Sequence, residues 1–471
     1  MLDFWGWLIL IGIVLVASTA VIKKYVKGAK SWAIITMLRF EKPRRIFDAF
    51  RQHPKWVDRL TDLGLVIGFG AIAVDYLWMQ KKPMWHRLLV FLVVTAALGM
   101  LIPLLFPLDN PIVPIPPPVI QVGFGIFGLS GLILVSLFYS GVDILNKMLL
   151  GKNACAGVAP VIPGVDLPNS PISVPLHAWL SFVIILIVHE ASHGFVIRKL
   201  GMKIKSYGLL LLGFLPIGAF VEPDENELKK LEKNHPREAL RMYAAGPASN
   251  FYFFVIGTLL VFLFTFGIAG PILGPTLTQI HGNAVSGVIV QEVQDSIVIC
   301  GTEFEAPAHN VLLPGDKIIA VDGQPIQVLR DYVLAVQGKT AYTLTIDRDG
   351  AIMDHSFNAN ELGRIGITVR EVANPDYTPP SWYEPFLQVA GFVASFVGWL
   401  LLLNFLVATA NFIPILPFDG GKMAVLLLAP YLGFLKMDDA STKKAIQKVF
   451  LWIMLALIIV NAAPLVIVNP V

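Results

Sequence analysis

The sequence predicts a polytopic α-helical membrane protein with one small β-rich domain inserted between its spans. Three observations carry that reading. Of 471 residues, 55% are hydrophobic and 15% charged, against about 25% charged in a soluble domain. Apolar runs near the ~20 residues that a helix needs to cross a bilayer recur along the chain. Between residues 277 and 372 charges return, and short alternating runs replace the long apolar ones. The net charge of +3 decides little, and two cysteines, Cys155 and Cys300, are too few for a disulfide framework or a thiolate zinc site.

The first span is expected at residues 4–22, with Trp5 and Trp7 suited to a membrane interface. It has neither a basic segment ahead of it nor a small-residue cleavage site, so it reads as a retained anchor. Residues 23–59 are dense in Lys and Arg, which places that loop in the cytoplasm and the N-terminus outside. Beside a span, such a stretch contacts anionic lipid headgroups and not nucleic acid. Spans follow at 63–78, 88–106 and 122–149, with a proline-rich stretch at 107–118 that cannot be helical throughout. The turn around Lys81, Lys82 and Arg87 then falls outside, against the charge rule. Residues 151–175, rich in Pro and Gly, read as an extracytoplasmic loop. Asp75 and Asp143 are intramembrane acids without a surrounding motif, and read as polar contacts between helices.

The next span, at 176–199, carries His189-Glu190-Ala191-Ser192-His193. Histidines four apart share one helix face, so both can grip one zinc ion, and the glutamate between them can serve as general base. Ionisable groups in an apolar span are costly and therefore read as functional. Arg198, Lys199, Lys203 and Lys205 mark the cytoplasmic end, so His193 lies on the order of 10 Å below that surface at 1.5 Å per residue. Residues 207–221 are too short to span and are broken by Gly and Pro, so a re-entrant or strand-like segment packed on protein is expected. A span at 244–266 opens with Ala245-Gly246-Pro247-Ala248-Ser249-Asn250.

In the β-rich stretch, Pro314-Gly315-Asp316, Asp322-Gly323 and Asp349-Gly350 mark turns. The run from Leu313 to Gly323 is similar to the central signature of PDZ domains, which bind extended peptides by strand addition. A span at 386–412 then ends in Asn411-Phe412-Ile413-Pro414-Ile415-Leu416-Pro417-Phe418-Asp419-Gly420-Gly421. Residues 425–435 form a short re-entrant or surface helix, and the last span is 449–467.

A catalytic zinc takes three protein ligands plus water. Carboxylates are scarce at the right depth. Asp419 follows a span ending on the side nearest His193, and its prolines and glycines let the chain turn inward. Glu222 lies at the same level, in a charged, solvated run.

The HExxH helix, the Asn411…Pro414…Pro417…Asp419-Gly420 element and the inserted PDZ-like domain together resemble the site-2 protease family of intramembrane zinc metalloproteases, most closely its archaeal members. The resemblance covers roughly 176–423. It implies a division into an N-terminal transmembrane region (1–175), a first protease half (176–276), an extracytoplasmic PDZ-like domain (277–372) and a second protease half with a C-terminal span (373–471). It implies His189, His193 and Asp419 as ligands of one Zn2+ per chain, and Glu190 as the base for a zinc-bound water that attacks the scissile peptide. Asn250 and Asn411 are candidates for oxyanion stabilisation or substrate positioning, or for bonds that hold the helix bundle. The implied substrates are transmembrane proteins first trimmed by a site-1-type protease, in regulated intramembrane proteolysis. The implied setting is the cell membrane, with the N-terminus and PDZ-like domain outside and the active site near the cytoplasm. By the count of spans Cys155 and Cys300 share the outer face, where a disulfide is allowed but not indicated.

Two other classes compete. A catalytically silent scaffold or chaperone binding peptides through the outer domain would lose a metal ligand or Glu190, and this chain keeps all four. A metal transporter would show paired repeats or several sites along a path, and the chain has one site and no repeat.

Overall fold

The computed structural model describes residues 4–26, 28–41, 45–49, 51–52, 54–105, 117–159, 163–164, 173–300 and 302–466. Most of the proline-rich stretch at 107–118 and part of the loop at 151–175 lie outside them. Among the described residues, six helical stretches are long and apolar enough to cross a membrane: Pro54–Met79, Pro118–Leu149, Ala178–Lys199, Pro236–Ala284, Tyr383–Asn411 and Asp439–Leu465. The protein is a multi-pass helical membrane protein with a β-rich domain between its spans.

Helix α1 (Phe4–Tyr25) is followed by two strands, β1 (Ala29–Trp32) and β2 (Ile35–Phe40). These belong to the basic segment, which is therefore partly strand and not loop throughout. α2 (Pro54–Val74) continues through a π turn at Asp75–Met79, and α3 (Met84–Gly99) has only 16 residues. The third span expected from sequence is thus cut short, with a separate turn, α4 (Ile102–Leu105), after it. α5 (Pro117–Leu149) packs on both α2 and α3. Where α2 and α5 cross, each is broken at a glycine, Gly70 (φ 55°, ψ −139°) and Gly128 (φ 58°, ψ −143°). A Cβ on Gly70 would stand 2.6 Å from Gly125 O, and one on Gly128 only 2.2 Å from Ile67 O. Only glycine allows both the left-handed backbone and the approach.

The intramembrane acids have partners. Asp75 accepts two bonds from Arg87 (2.9 and 2.6 Å) and one from the Tyr431 hydroxyl (2.6 Å). Arg87 is thereby neutralised and is not a free loop charge. Asp143 pairs with Lys147 one turn along its own helix, at 2.8 Å, a contact within one helix where one between helices was expected.

α6 (Ala178–Lys199) leads into a hairpin of β3 (Ile204–Leu212) and β4 (Leu215–Pro223). The broken apolar segment is this hairpin. β2 pairs along β3 from Ile35↔Leu212 to Phe40↔Tyr207, giving an antiparallel sheet in the order β1-β2-β3-β4. After the short amphipathic α7 (Glu225–Asn234), capped by Asp224, come α8 (Pro236–Phe264), a π turn and α9 (Gly270–Ala284).

An ion-pair cluster joins α2, α6 and α8 at one end. Asp62 receives Arg237 and Arg241 at 2.7 Å, Arg241 also meets Glu238 at 2.6 Å, and Lys199 bonds Asp58. Removing one partner of such a buried set leaves an uncompensated charge.

The β domain comprises β5 (Val285–Val293), β6 (Ser296–Ile299), β7 (Thr302–Glu305), β8 (Lys317–Val321), β9 (Gln324–Pro325), α10 (Leu329–Val336), β10 (Ala341–Arg348), β11 (Ala351–Asn358) and β12 (Ile367–Ala373). Its main sheet runs β11-β10-β8-β5-β12, and Val288, Val290, Ile318, Leu344 and Ile346 form a dry core. Cys300, beside the β6–β7 hairpin, forms a disulfide with Cys155 in the segment after α5. α11 (Tyr383–Asn411), α12 (Asp419–Leu428) and α13 (Asp439–Ala462) complete the helical body.

Within the β domain, burial pushes the Asp316 carboxyl up, but two bonds from Arg348 (2.7 and 2.6 Å) and one from the Leu313 N–H (2.8 Å) outweigh it and hold the group below the usual carboxylate value. A depressed carboxylate contributes stability that is present above its unfolded pKa, near 4, and is lost as pH falls through the lower folded value. Protection of β8 and β10 against hydrogen exchange in the intact chain, taken relative to the intrinsic rate at each pH, is expected to fall on acidification below about pH 4. Asp316→Asn should abolish that acid step and cost roughly 1.5–3 kcal/mol at neutral pH.

Candidate metal centre

Helix α6 is apolar almost throughout, and its buried stripe includes Ser181, Ile185, His189 and His193. The i, i+4 spacing stacks the two imidazoles on the side facing α8. Against them runs the Ala244–Asn250 stretch of α8, where Gly246 is the point of closest approach. A Cβ at Gly246 would lie 2.4 Å from His193 Nε2 and 2.5 Å from His189 Nε2. Only a residue without a side chain lets α8 pass this close to the two nitrogens.

Asp419 arrives from the other side. α11 ends at Asn411, the chain turns through residues 412–418, and Asp419 opens α12, whose N-terminal dipole favours a carboxylate. Phe412 anchors that turn. It is fully buried, its ring edge to face with Phe69 of α2 at 6.1 Å. Asp419 Oδ2 then lies 3.3 Å from His189 Nε2 and 3.1 Å from His193 Nε2, which are 3.2 Å from each other.

These separations fit a metal. A tetrahedral zinc with bonds of roughly 2.0–2.1 Å spaces its donors about 3.3–3.4 Å apart. His193 Nδ1 lies 2.8 Å from Met242 O. A carbonyl can only accept, so Nδ1 carries the proton and Nε2 keeps its lone pair. The Asn250 carboxamide is 3.1 Å from His189 Nδ1. Which amide atom faces the ring is settled by the partner's needs; with its oxygen turned to the ring it accepts from Nδ1–H, leaving His189 Nε2 a ligand as well. Two lone pairs and a carboxylate oxygen then converge on one point, an arrangement that a cation reconciles.

Glu190 is one residue along from His189, and its Oε2 accepts from the Val221 N–H of β4 at 2.9 Å. That amide points away from β3, so the outer edge of β4 faces the site. Glu222 is engaged elsewhere, with Arg39 at 2.5 Å and Ser206 at 2.6 Å, and lies apart from the His–Asp cluster. Asn411 donates to Val407 O in its own helix at 3.0 Å.

Two residues of the site escape a reading of the chain alone. Gly246 stands inside a quoted stretch, but only the packing of α8 on α6 gives it a role; a glycine in the interior of an apolar helix was the available signal. Lys422, at 3.7 Å from Asp419 Oδ1 and over the Tyr243 ring at 4.9 Å, steadies the second carboxylate oxygen. Its i+3 spacing from Asp419 was the available sign.

Gly246→Ala should abolish zinc retention while leaving helix content unchanged, as read by metal analysis and circular dichroism on the same sample. Asn250→Leu, which removes the acceptor on His189, should weaken zinc affinity by roughly 10–100-fold.

The peptidase family M50 model matches residues 177–461, well over half of the chain. An uncharacterized protein of the archaeon Methanocaldococcus jannaschii is 28% identical over 56% of this chain and 56% of its own length. A protein of Rhizobium meliloti is 25% identical over 44% of this chain and 62% of its own, and one of Agrobacterium fabrum 23% identical over 40% and 57%; both are named "Putative zinc metalloprotease". The matched segments thus span less than two thirds of each relative. The match encloses the HExxH helix, the β domain and the Asp419 turn together, and the chain belongs to peptidase family M50.

Proposed function

We propose that the protein is an intramembrane zinc endopeptidase that cuts transmembrane segments of other membrane proteins. The observation that carries this reading is the convergence of His189 Nε2, His193 Nε2 and Asp419 Oδ2 within 3.3 Å of one another, in a membrane helix bundle, beside Glu190. These three residues would hold one Zn2+. When bound, zinc supplies a Lewis acid that polarises a scissile carbonyl and acidifies a water.

The chain's own residues do the rest. Glu190 takes the proton from the attacking water and returns it to the leaving nitrogen. Its bond to Val221 N–H keeps it aimed into the site until then. A substrate helix must unwind before its carbonyl is open to attack, and the outer edge of β4 offers the extended segment a backbone partner. Asn250 positions His189. Asn411 is the candidate oxyanion donor, its amide bonded to a carbonyl of its own helix that it can release.

The β domain acts as a PDZ-like filter or docking module for substrates already trimmed by another protease. The distribution of Lys and Arg supports an external N-terminus and β domain, with the site near the cytoplasm. A silent scaffold has no use for the complete His–Glu–His–Asp set.

Purified full-length protein is expected to hold one zinc per chain and to cleave a transmembrane model substrate. Glu190→Gln should keep the metal and slow cleavage by about 10²–10⁴-fold. Unchanged cleavage by that variant would refute the assignment.

A further inference from the structure

A cavity of about 250 Å³ lies between α2, α6 and α8 and opens to the surroundings; its wall includes Trp56, Leu60, Thr61, Ser192, Ser249 and Tyr252. Every hydroxyl in that set already donates to a helix carbonyl. Thr61 donates to Val57 O (2.9 Å), Ser192 to Val188 O (2.8 Å), Ser249 to Gly246 O (2.7 Å) and Tyr252 to Leu60 O (2.6 Å). Those hydroxyls have no proton left to offer a polar guest. A peptide brings N–H and C=O groups that need partners in a membrane, and an intact helix is about 10 Å across. A single hydrocarbon chain asks for neither partners nor that width.

The mouth has a charge. Trp56, 56% exposed, sits in the first turn of α2, where an aromatic suits the membrane interface. On either side of it along the helix, Lys55 and Arg59 are exposed. The acid between them, Asp58, is taken by Lys199 and Arg241, so it does not cancel them.

We propose that this cavity holds one hydrocarbon chain of an anionic membrane lipid, with its headgroup on Lys55 and Arg59. The guest fills the seam between the N-terminal helices and the metal helix, one residue from His193 through Ser192. It is a built-in lipid, separate from the substrate path along β4.

The test uses full-length protein reconstituted in vesicles of equal phosphatidylglycerol and phosphatidylcholine with matched acyl chains, re-extracted in detergent and washed. Retained lipid is counted by mass spectrometry. The wild type should keep phosphatidylglycerol in preference to phosphatidylcholine. Leu60→Trp, which fills the cavity, should lower retention by roughly tenfold or more, as expected when several methylenes are excluded. Thr61→Met serves as a smaller filling variant should the first fail to fold. Lys55→Ala with Arg59→Ala should retain lipid without headgroup preference. Zinc content, read in parallel, should be unchanged in all variants. Equal retention by wild type and a folded filling variant overturns the proposal. So does displacement of the lipid by a transmembrane substrate peptide, which would make the cavity part of the substrate path.

Discussion

The fold depends on how closely α8 passes over the face of α6 that carries the two histidines. Polar side chains in a bilayer are tolerated only when each finds a partner. Here that partner set must also leave an opening of atomic size between two nitrogens and a carboxylate. Gly246 permits the close pass, Met242 O and Asn250 orient the rings, and the ion-pair cluster of Asp58, Asp62, Lys199, Arg237 and Arg241 fixes the three helices at one end.

The N-terminal helices serve the same end from farther away. α2 and α5 are broken at Gly70 and Gly128 where they cross. Two residues before that break, at Gly68, α2 leaves the space that the Phe412 ring occupies; a Cβ there would stand 2.2 Å from it. Phe412 begins the turn that delivers Asp419. The third donor is therefore set in part by a region with little sequence signal of its own.

The sequence displayed what is local or scarce. The histidine pair is legible because its spacing is a helix repeat, and Asp419 because few acids lie at that depth. The β domain announced itself through residues 317–321 and 342–346, where strand alternation is strong. What stayed hidden was nonlocal. β1, Ala-Lys-Ser-Trp, has no pattern that marks a strand, and β2 becomes one by pairing with β3 more than 160 residues later. Arg87 looked like a loop cation because its partner Asp75 is an intramembrane acid that no local rule connects to it.

The Cys155–Cys300 bridge makes a closed ring out of the chain between them, and that ring contains α6 and the α8–α9 rod. A ring that begins and ends at one bond must cross the bilayer an even number of times. Both cysteines therefore share a side, whichever side it is, and the β3–β4 hairpin must enter and leave by the same face. The ring also encloses the metal helix itself. A cut in the backbone anywhere between the two cysteines leaves one molecule, whole by size until its sulfurs are reduced.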